Sequence, residues 1–232
     1  MIERSLKSCL VAAVCVACVF MAAHVHGDDL SAAQVLANCQ AMLPTRPVEL
    51  KGAIVLRNRK GIVRSEYGYR LVLDRSKTPA EVDLTICERG GTNVLKHVTL
   101  KRPGTIPEGN VMDTDVTWLD LSLDYLWWRN PRYEAEREGE SVHGQKCSVI
   151  LVDPPDAAAA NGVKAVRLWA DKKNGCLMQA ETLDAESPPV RRRWGTRVKK
   201  FGDRWMANVL ETETLGSGRR TKITVEELRE LP

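Results

Sequence analysis

VTWLDLSLDYLWWRNPRYE, residues 116–134, gathers three tryptophans and four leucines in a chain whose aromatic content is only 5%. Thr117, three residues before Asp120, predicts a helix start. The hydroxyl takes an orphan backbone N–H and the carboxylate suits the positive end of the dipole. Arg129-Asn130-Pro131 predicts the end. At 3.6 residues per turn Leu119, Leu123, Leu126 and Trp127 share one face, and Trp118, Leu121, Tyr125 and Trp128 form a second beside it. Only Asp120, Ser122 and Asp124 remain to face water. A helix this apolar must be covered on two sides, or itself cover something.

The segments around it supply the surface. Upstream, Val35, Leu36, Cys39 and Met42 or Leu43 recur at helical spacing from Leu30 to Leu43, and Pro44 and Pro47 stop that helix. The period then becomes two: Leu50, Gly52, Ile54 and Leu56; Tyr67, Tyr69, Leu71 and Leu73; Val82, Leu84 and Ile86; Val94, Val98 and Leu100. A loop over Arg102 to Asn110 leads into the apolar helix. Beyond it strands are expected at Arg132 to Glu138, Lys146 to Asp153, Lys164 to Asp171, Cys176 to Asp184, Val190 to Phe201, Arg204 to Thr214 and Arg219 to Leu228. Asn174-Gly175 reads as a two-residue hairpin turn, and Gly202-Asp203 and Gly216-Ser217-Gly218 supply further positive backbone angles. The fold class is therefore α+β: an antiparallel meander of about ten strands that curls, with one helix before it and one inserted in its middle.

The first residues predict that this domain is exported from the cytoplasm. Arg4 and Lys7 precede an apolar run from Cys9 to Ala23, shorter than the roughly 20 residues that span a bilayer. Residues 1–27 read as a signal peptide cleaved after Gly27, and 28–232 as one exported domain. The residues before Cys15 and Cys18 lack the pattern of a lipid-anchored leader. The formal charge of +4 becomes +3 once Arg4, Lys7 and Glu3 are removed, too mild for a nucleic-acid footprint. Arg191-Arg192-Arg193 with Lys199-Lys200 reads as a solvated strand face whose cations meet acids of the next segment.

Four cysteines remain, at 39, 87, 147 and 176, with no zinc spacing. Cys147 and Cys176 open strands separated by a third, too far apart to bridge. A Cys39–Cys87 disulfide is left open. Catalysis finds little support: His97 lies in a strand pattern, His143 in the turn-like Val142-His143-Gly144, and neither sits in a nucleophile or metal motif. Asp113, Asp115, Asp120 and Asp124 lack the glycine and terminal glutamate of a calcium loop. Cys147 reads as an inert core thiol. No cofactor is indicated.

The order of elements, with Thr114-Asp115-Val116-Thr117-Trp118-Leu119-Asp120, Tyr133-Glu134, Gly144-Gln145-Lys146-Cys147, Val166-Arg167-Leu168-Trp169-Ala170-Asp171, Gln179-Ala180-Glu181, Glu211-Thr212-Glu213-Thr214 and Thr221, resembles the outer-membrane lipoprotein-sorting (LolA-like) family, in its broad branch of undefined cargo. The resemblance implies an unclosed β-barrel covered by an N-terminal and an inserted helix, in a monomeric periplasmic protein without enzymatic activity. It further implies a carrier of lipid or lipoprotein acyl chains, or an envelope sensor that binds a membrane protein partner. No arginine of this chain aligns with the one that gates the carrier's cavity. Candidates for lining an acyl-chain cavity are Leu56, Leu71, Leu84, Trp118, Leu119, Leu123, Leu126, Trp127, Trp128 and Trp169. Read from the residues alone, a packed core and a ligand-filled cavity both remain open.

Overall fold

The structure, a computed structural model, describes residues 30–77, 80–102, 106–156, 162–184, 188–202 and 204–232; the expected signal peptide lies outside them. Helix α1, Ala32–Ala41, opens with a reciprocal capping box between Ser31 and Gln34 and buries Val35, Leu36 and Cys39. It is followed by β1 (Val48–Arg57), β2 (Val63–Asp74), β3 (Ala80–Glu88) and β4 (Val94–Arg102). After α2 (Trp118–Ser122) come β5 (Arg129–Tyr133), β6 (Ser141–Val142), β7 (Gln145–Asp153), β8 (Ala165–Asp171), β9 (Leu177–Leu183), β10 (Pro189–Phe201), β11 (Arg204–Thr214) and β12 (Arg220–Glu230).

The twelve strands among the described residues belong to one antiparallel sheet of order β4-β3-β2-β1-β12-β11-β10-β9-β8-β7-β5, with β6 paired to β7 alone. No pairing joins β4 to β5 among the described residues, so the sheet is open. It is not the single meander expected. Strand β1 pairs with β12 from Val48–Glu230 to Arg57–Arg220, which joins two meanders that are far apart in sequence. At the register shift beside Gly52 the strands approach so closely that a Cβ there would lie 1.8 Å from the Thr224 carbonyl oxygen. Only glycine fits.

Alternation decides the two faces. Ile54, Tyr69, Leu71, Leu84, Ile86, Ile150, Leu168 and Ile223 point inward into one core cluster together with α1 and the 111–128 segment. The intervening residues of β8 to β12 point outward. There Arg167 and Glu181 (2.8 Å), Glu181 and Arg192 (2.7 Å), Arg192 and Glu213 (3.7 Å), and Glu213 and Arg220 (3.4 Å) form a row of alternating charge across five strands.

Several expectations require correction. The strand expected over Arg132 to Glu138 stops at Tyr133 and gives way to a 3-10 turn over Ala135–Arg137. The link before β9 runs from Lys172 to Gly175, because Asp171 N–H donates to the Cys176 carbonyl and closes a four-residue loop rather than a two-residue one. Its glycine is still required. Gly175 has φ +73°, and a Cβ would lie 2.9 Å from that of Asn38 on α1. Gly175→Val is expected to lower stability by about 1 to 3 kcal/mol through backbone strain and displacement of α1; an unchanged melting temperature would refute this. Cys39, Cys87, Cys147 and Cys176 are free. The open Cys39–Cys87 pairing does not form, because Cys39 faces the core beside Cys176 while Cys87 ends β3 against Gly68. Burial, helped by Cys176, pushes the Cys39 thiol up to about 12, so it is inert.

Glu49 on β1 supplies a pH-sensitive part of the stability. Burial pushes its carboxyl up, but the hydrogen bond from Arg70 and the charges of Arg70, Lys51 and Arg229 outweigh this and hold it below its ordinary 4.5. A depressed carboxyl stabilises the fold fully above its unfolded value, and that contribution is lost as pH falls through the folded one. Glu49→Gln should therefore be less stable than wild type at neutral pH, with the difference shrinking below pH 4.5. A difference that grows in acid would show the sign is wrong.

Candidate functional site

The stretch 116–134 is not one helix. Thr117 caps α2 as expected: its Oγ accepts the Asp120 N–H at 3.3 Å, and Asp120 Oδ2 accepts the Thr117 N–H at 2.8 Å. The helix then ends after five residues. Leu123 takes φ +56°, and a 3-10 turn over Asp124–Trp127 follows. The break has a local cause, since the Ser122 hydroxyl donates to the Leu119 carbonyl and accepts the Asp124 N–H, competing with helix continuation. Two faces computed for a continuous helix therefore do not exist beyond residue 122. The residues assigned to water are instead buried, Asp120 at 4% exposure and Ser122 and Asp124 at 1%.

The reason is a set of polar pins between this segment and its surroundings. Asp120 Oδ2 lies 3.0 Å from Arg191 Nε, and the Arg193 guanidinium donates to the Asp120 carbonyl oxygen. Both arginines come from the inner face of β10, while Arg192 between them faces outward to Glu181 and Glu213 as expected. Asp115 is pinned in parallel: it accepts from Thr214 Oγ at 2.9 Å and Thr221 Oγ at 3.1 Å, with Arg219 at 3.6 Å. Gln40 of α1 donates to the Leu126 carbonyl at 2.5 Å, and Trp128 Nε1 donates to Asp124 at 3.2 Å. Reading by periodicity missed Arg191, Arg193 and Asp115 as interior residues. The alternation of the Arg191-Arg192-Arg193 run was the available signal, because one parity of a strand with an inward face must point inward.

The expected cavity residues divide. Leu71, Leu84, Trp118, Leu119, Leu126 and Trp128 meet in the main core, with Leu123 and Trp127 half-buried against it. Leu56 is buried at the end of β1 outside this cluster. Trp169 does not join them: its parity on β8 turns it outward into a small second cluster with Val142, Cys147 and Val149, where its Nε1 donates to Glu140 at 3.0 Å. The side chains of the main cluster are buried. Within it Tyr125 is buried, its hydroxyl has no hydrogen-bond partner among the described residues, and burial pushes its phenol up to about 12. Such an orphan group costs free energy.

Elsewhere, a polar cleft of about 780 Å³ lies on the outer face between the β1–β2 and β11–β12 turns, lined by Arg57, Arg59, Glu211, Glu213, Arg219, Arg220 and Lys222. Its cations are largely occupied. Arg220 pairs with Glu211 at 3.1 Å and with Glu213, and Arg219 pairs with Asp115. His97 Nε2 lies 2.8 Å from Asp83 on an exposed face, and His143 has φ +49° in the two-residue turn that joins β6 to β7.

A protein-family model described as "Uncharacterized protein" matches residues 98–230. No curated protein matches the chain. Among solved structures, a DUF1329 family protein from Desulfovibrio piger is similar with a TM-score of 0.68 at 12% identity, over 86% of this chain and 91% of the other. A putative outer membrane lipoprotein-sorting protein domain from Vibrio parahaemolyticus follows with a TM-score of 0.64 at 14% identity, over 85% and 91%. A LolA superfamily protein from Nitrosomonas europaea has a TM-score of 0.63 at 13% identity, over 88% and 96%. The fold is that of the LolA superfamily: a mostly antiparallel, unclosed sheet with few helices.

Proposed function

For a chain that belongs to the uncharacterized-protein family matched over residues 98–230 and folds as LolA superfamily proteins do, we propose the function of a non-enzymatic periplasmic carrier of lipid or lipoprotein acyl chains, working in outer-membrane lipoprotein sorting. One observation carries the reading. The apolar 111–128 segment covers the inner face of an open sheet, yet it is made of two short pieces broken at Leu123 and held by side-chain pins rather than by a continuous helix. A cover of this kind lifts as a unit when the pins part, and the surface beneath it is apolar over the main cluster, with Arg191, Arg193, Thr214 and Thr221 supplying polar groups where the pins attach. Acyl chains need only apolar area, about 25 cal/mol per Å² buried, and no polar partner. The N-terminal helix and the inserted segment together are the lid of this site, and residues 1–27 direct the chain to the periplasm.

The test is native mass spectrometry of protein purified from its periplasm without detergent, on wild type and on Arg191→Ala/Arg193→Ala. Wild type should carry acyl-chain mass in a minor fraction, and the pin variant in a larger one. Wild type and variant both free of lipid would defeat the carrier reading. A lasting complex with a membrane protein, in place of lipid, would assign the fold to an envelope sensor.

A further inference from the structure

Strand β10 keeps β9 as its neighbour only as far as the Trp194–Gln179 pair, and β11 gains β12 only from Val209–Thr224 onward. Between these limits, residues 195–202 and 204–208 form a two-stranded arm with no strand hydrogen-bonded to either side among the described residues. A ribbon of this kind is marginal in water, and it contributes little to the core. It carries instead the two most exposed large hydrophobic side chains among the described residues, Trp205 at 68% and Val198 at 65%. The register places Lys200 opposite Trp205 and Val198 opposite Ala207, so Val198, Lys200 and Trp205 share one face.

The charges of the arm differ from those of the same strand upstream. Before residue 195 every arginine of β10 is engaged, Arg191 and Arg193 by Asp120 and Arg192 by Glu181 and Glu213. Beyond it Arg197, Lys199 and Lys200 are exposed and make no ion pair with a carboxylate among the described residues; Lys199 lies only over the Phe201 ring, 4.9 Å from its centre. Lysines that guard a free strand edge against aggregation would explain the cations. They would not explain an exposed tryptophan and valine on the same face. Tryptophan at headgroup level, flanked by cations that gain energy near anionic lipid, explains both.

We propose that the β10–β11 arm docks the protein on an anionic lipid surface, with Trp205 and Val198 at the headgroup boundary, Lys200 on their face against the lipid charge, and Arg197 and Lys199 adding to the positive potential of the arm. The proposal stands whether or not the interior takes acyl chains. Sedimentation with phosphatidylglycerol–phosphatidylcholine vesicles and with pure phosphatidylcholine vesicles tests it. Wild type should bind the anionic vesicles, release as salt is raised, and bind the neutral ones at least about tenfold more weakly. Trp205→Ser/Val198→Ser and Lys199→Glu/Lys200→Glu should each lose about tenfold or more in vesicle binding with the melting temperature unchanged, since all four side chains lie outside the core. Equal binding to both vesicles, no binding to either, or binding undiminished in both double variants overturns the proposal. Lipid in the native mass spectrum without vesicle binding leaves the carrier reading intact while removing this one, and the reverse result separates them equally.

Discussion

Replacing Arg167 with alanine should cost on the order of 3 to 5 kcal/mol of folding free energy, the range for removing one partner of a buried ion pair. The guanidinium side chain is 8% exposed and lies between Glu181 at 2.8 Å and both oxygens of Glu134. Its loss strands Glu181, whose own side chain is only 4% exposed, beneath the outer surface of β9 with Arg192 as its remaining partner. Truncating Arg220 at the other end of the same charge row should cost under about 1 kcal/mol, because water screens that pair. Urea unfolding of the two variants provides the comparison. Equal midpoints would show that the row acts as a uniform surface feature rather than through its buried end.

The second large effect concerns the covering segment. Leu126→Ala should lose about 2 to 5 kcal/mol, since Leu126 is buried in the main core where truncation leaves a cavity. Trp118→Ser and Trp128→Ser should lose comparable amounts, because both rings lie in that same cluster. Leu123→Ala should lose less: the side chain is half-buried and its backbone already occupies the left-handed region. A melting temperature for Leu126→Ala within a degree or two of wild type would show that this segment does not pack against the sheet as described. The tryptophans alone therefore do not separate a lid from a core. The arginine pins do, because they hold the segment from outside the apolar cluster it covers.

Most strands were legible because a sheet with one buried face writes a period of two into its sequence, as Tyr67-Tyr69-Leu71-Leu73 and Val82-Leu84-Ile86 do. The first helix was legible for the corresponding reason at 3.6 residues. The inserted segment was not, because hydroxyl and carboxylate side chains at Ser122 and Asp124 bond to nearby backbone and indole groups and override periodicity. Pairing between β1 and β12 also left no local trace, since register over some 170 residues of intervening chain depends on tertiary closure. The residues on which the family resemblance rested have a physical role that limits what they say about function. Glu134, Arg167, Glu181 and Glu213 form the outer charge row, and Asp115, Thr214 and Thr221 are pins. They specify the sheet and its cover. The fold could thus be read in the sequence while the cargo could not.

The pairing of β1 with β12 also fixes the order in which the molecule can assemble. Residues 48–57 must wait for residues 220–230 before either gains its full set of partners, so the two halves of the sheet close only after the C-terminal strand has emerged. Closing so long a loop is slow relative to forming the hairpins on either side. Until then both halves present unpaired edges, a state that calls for protection from aggregation.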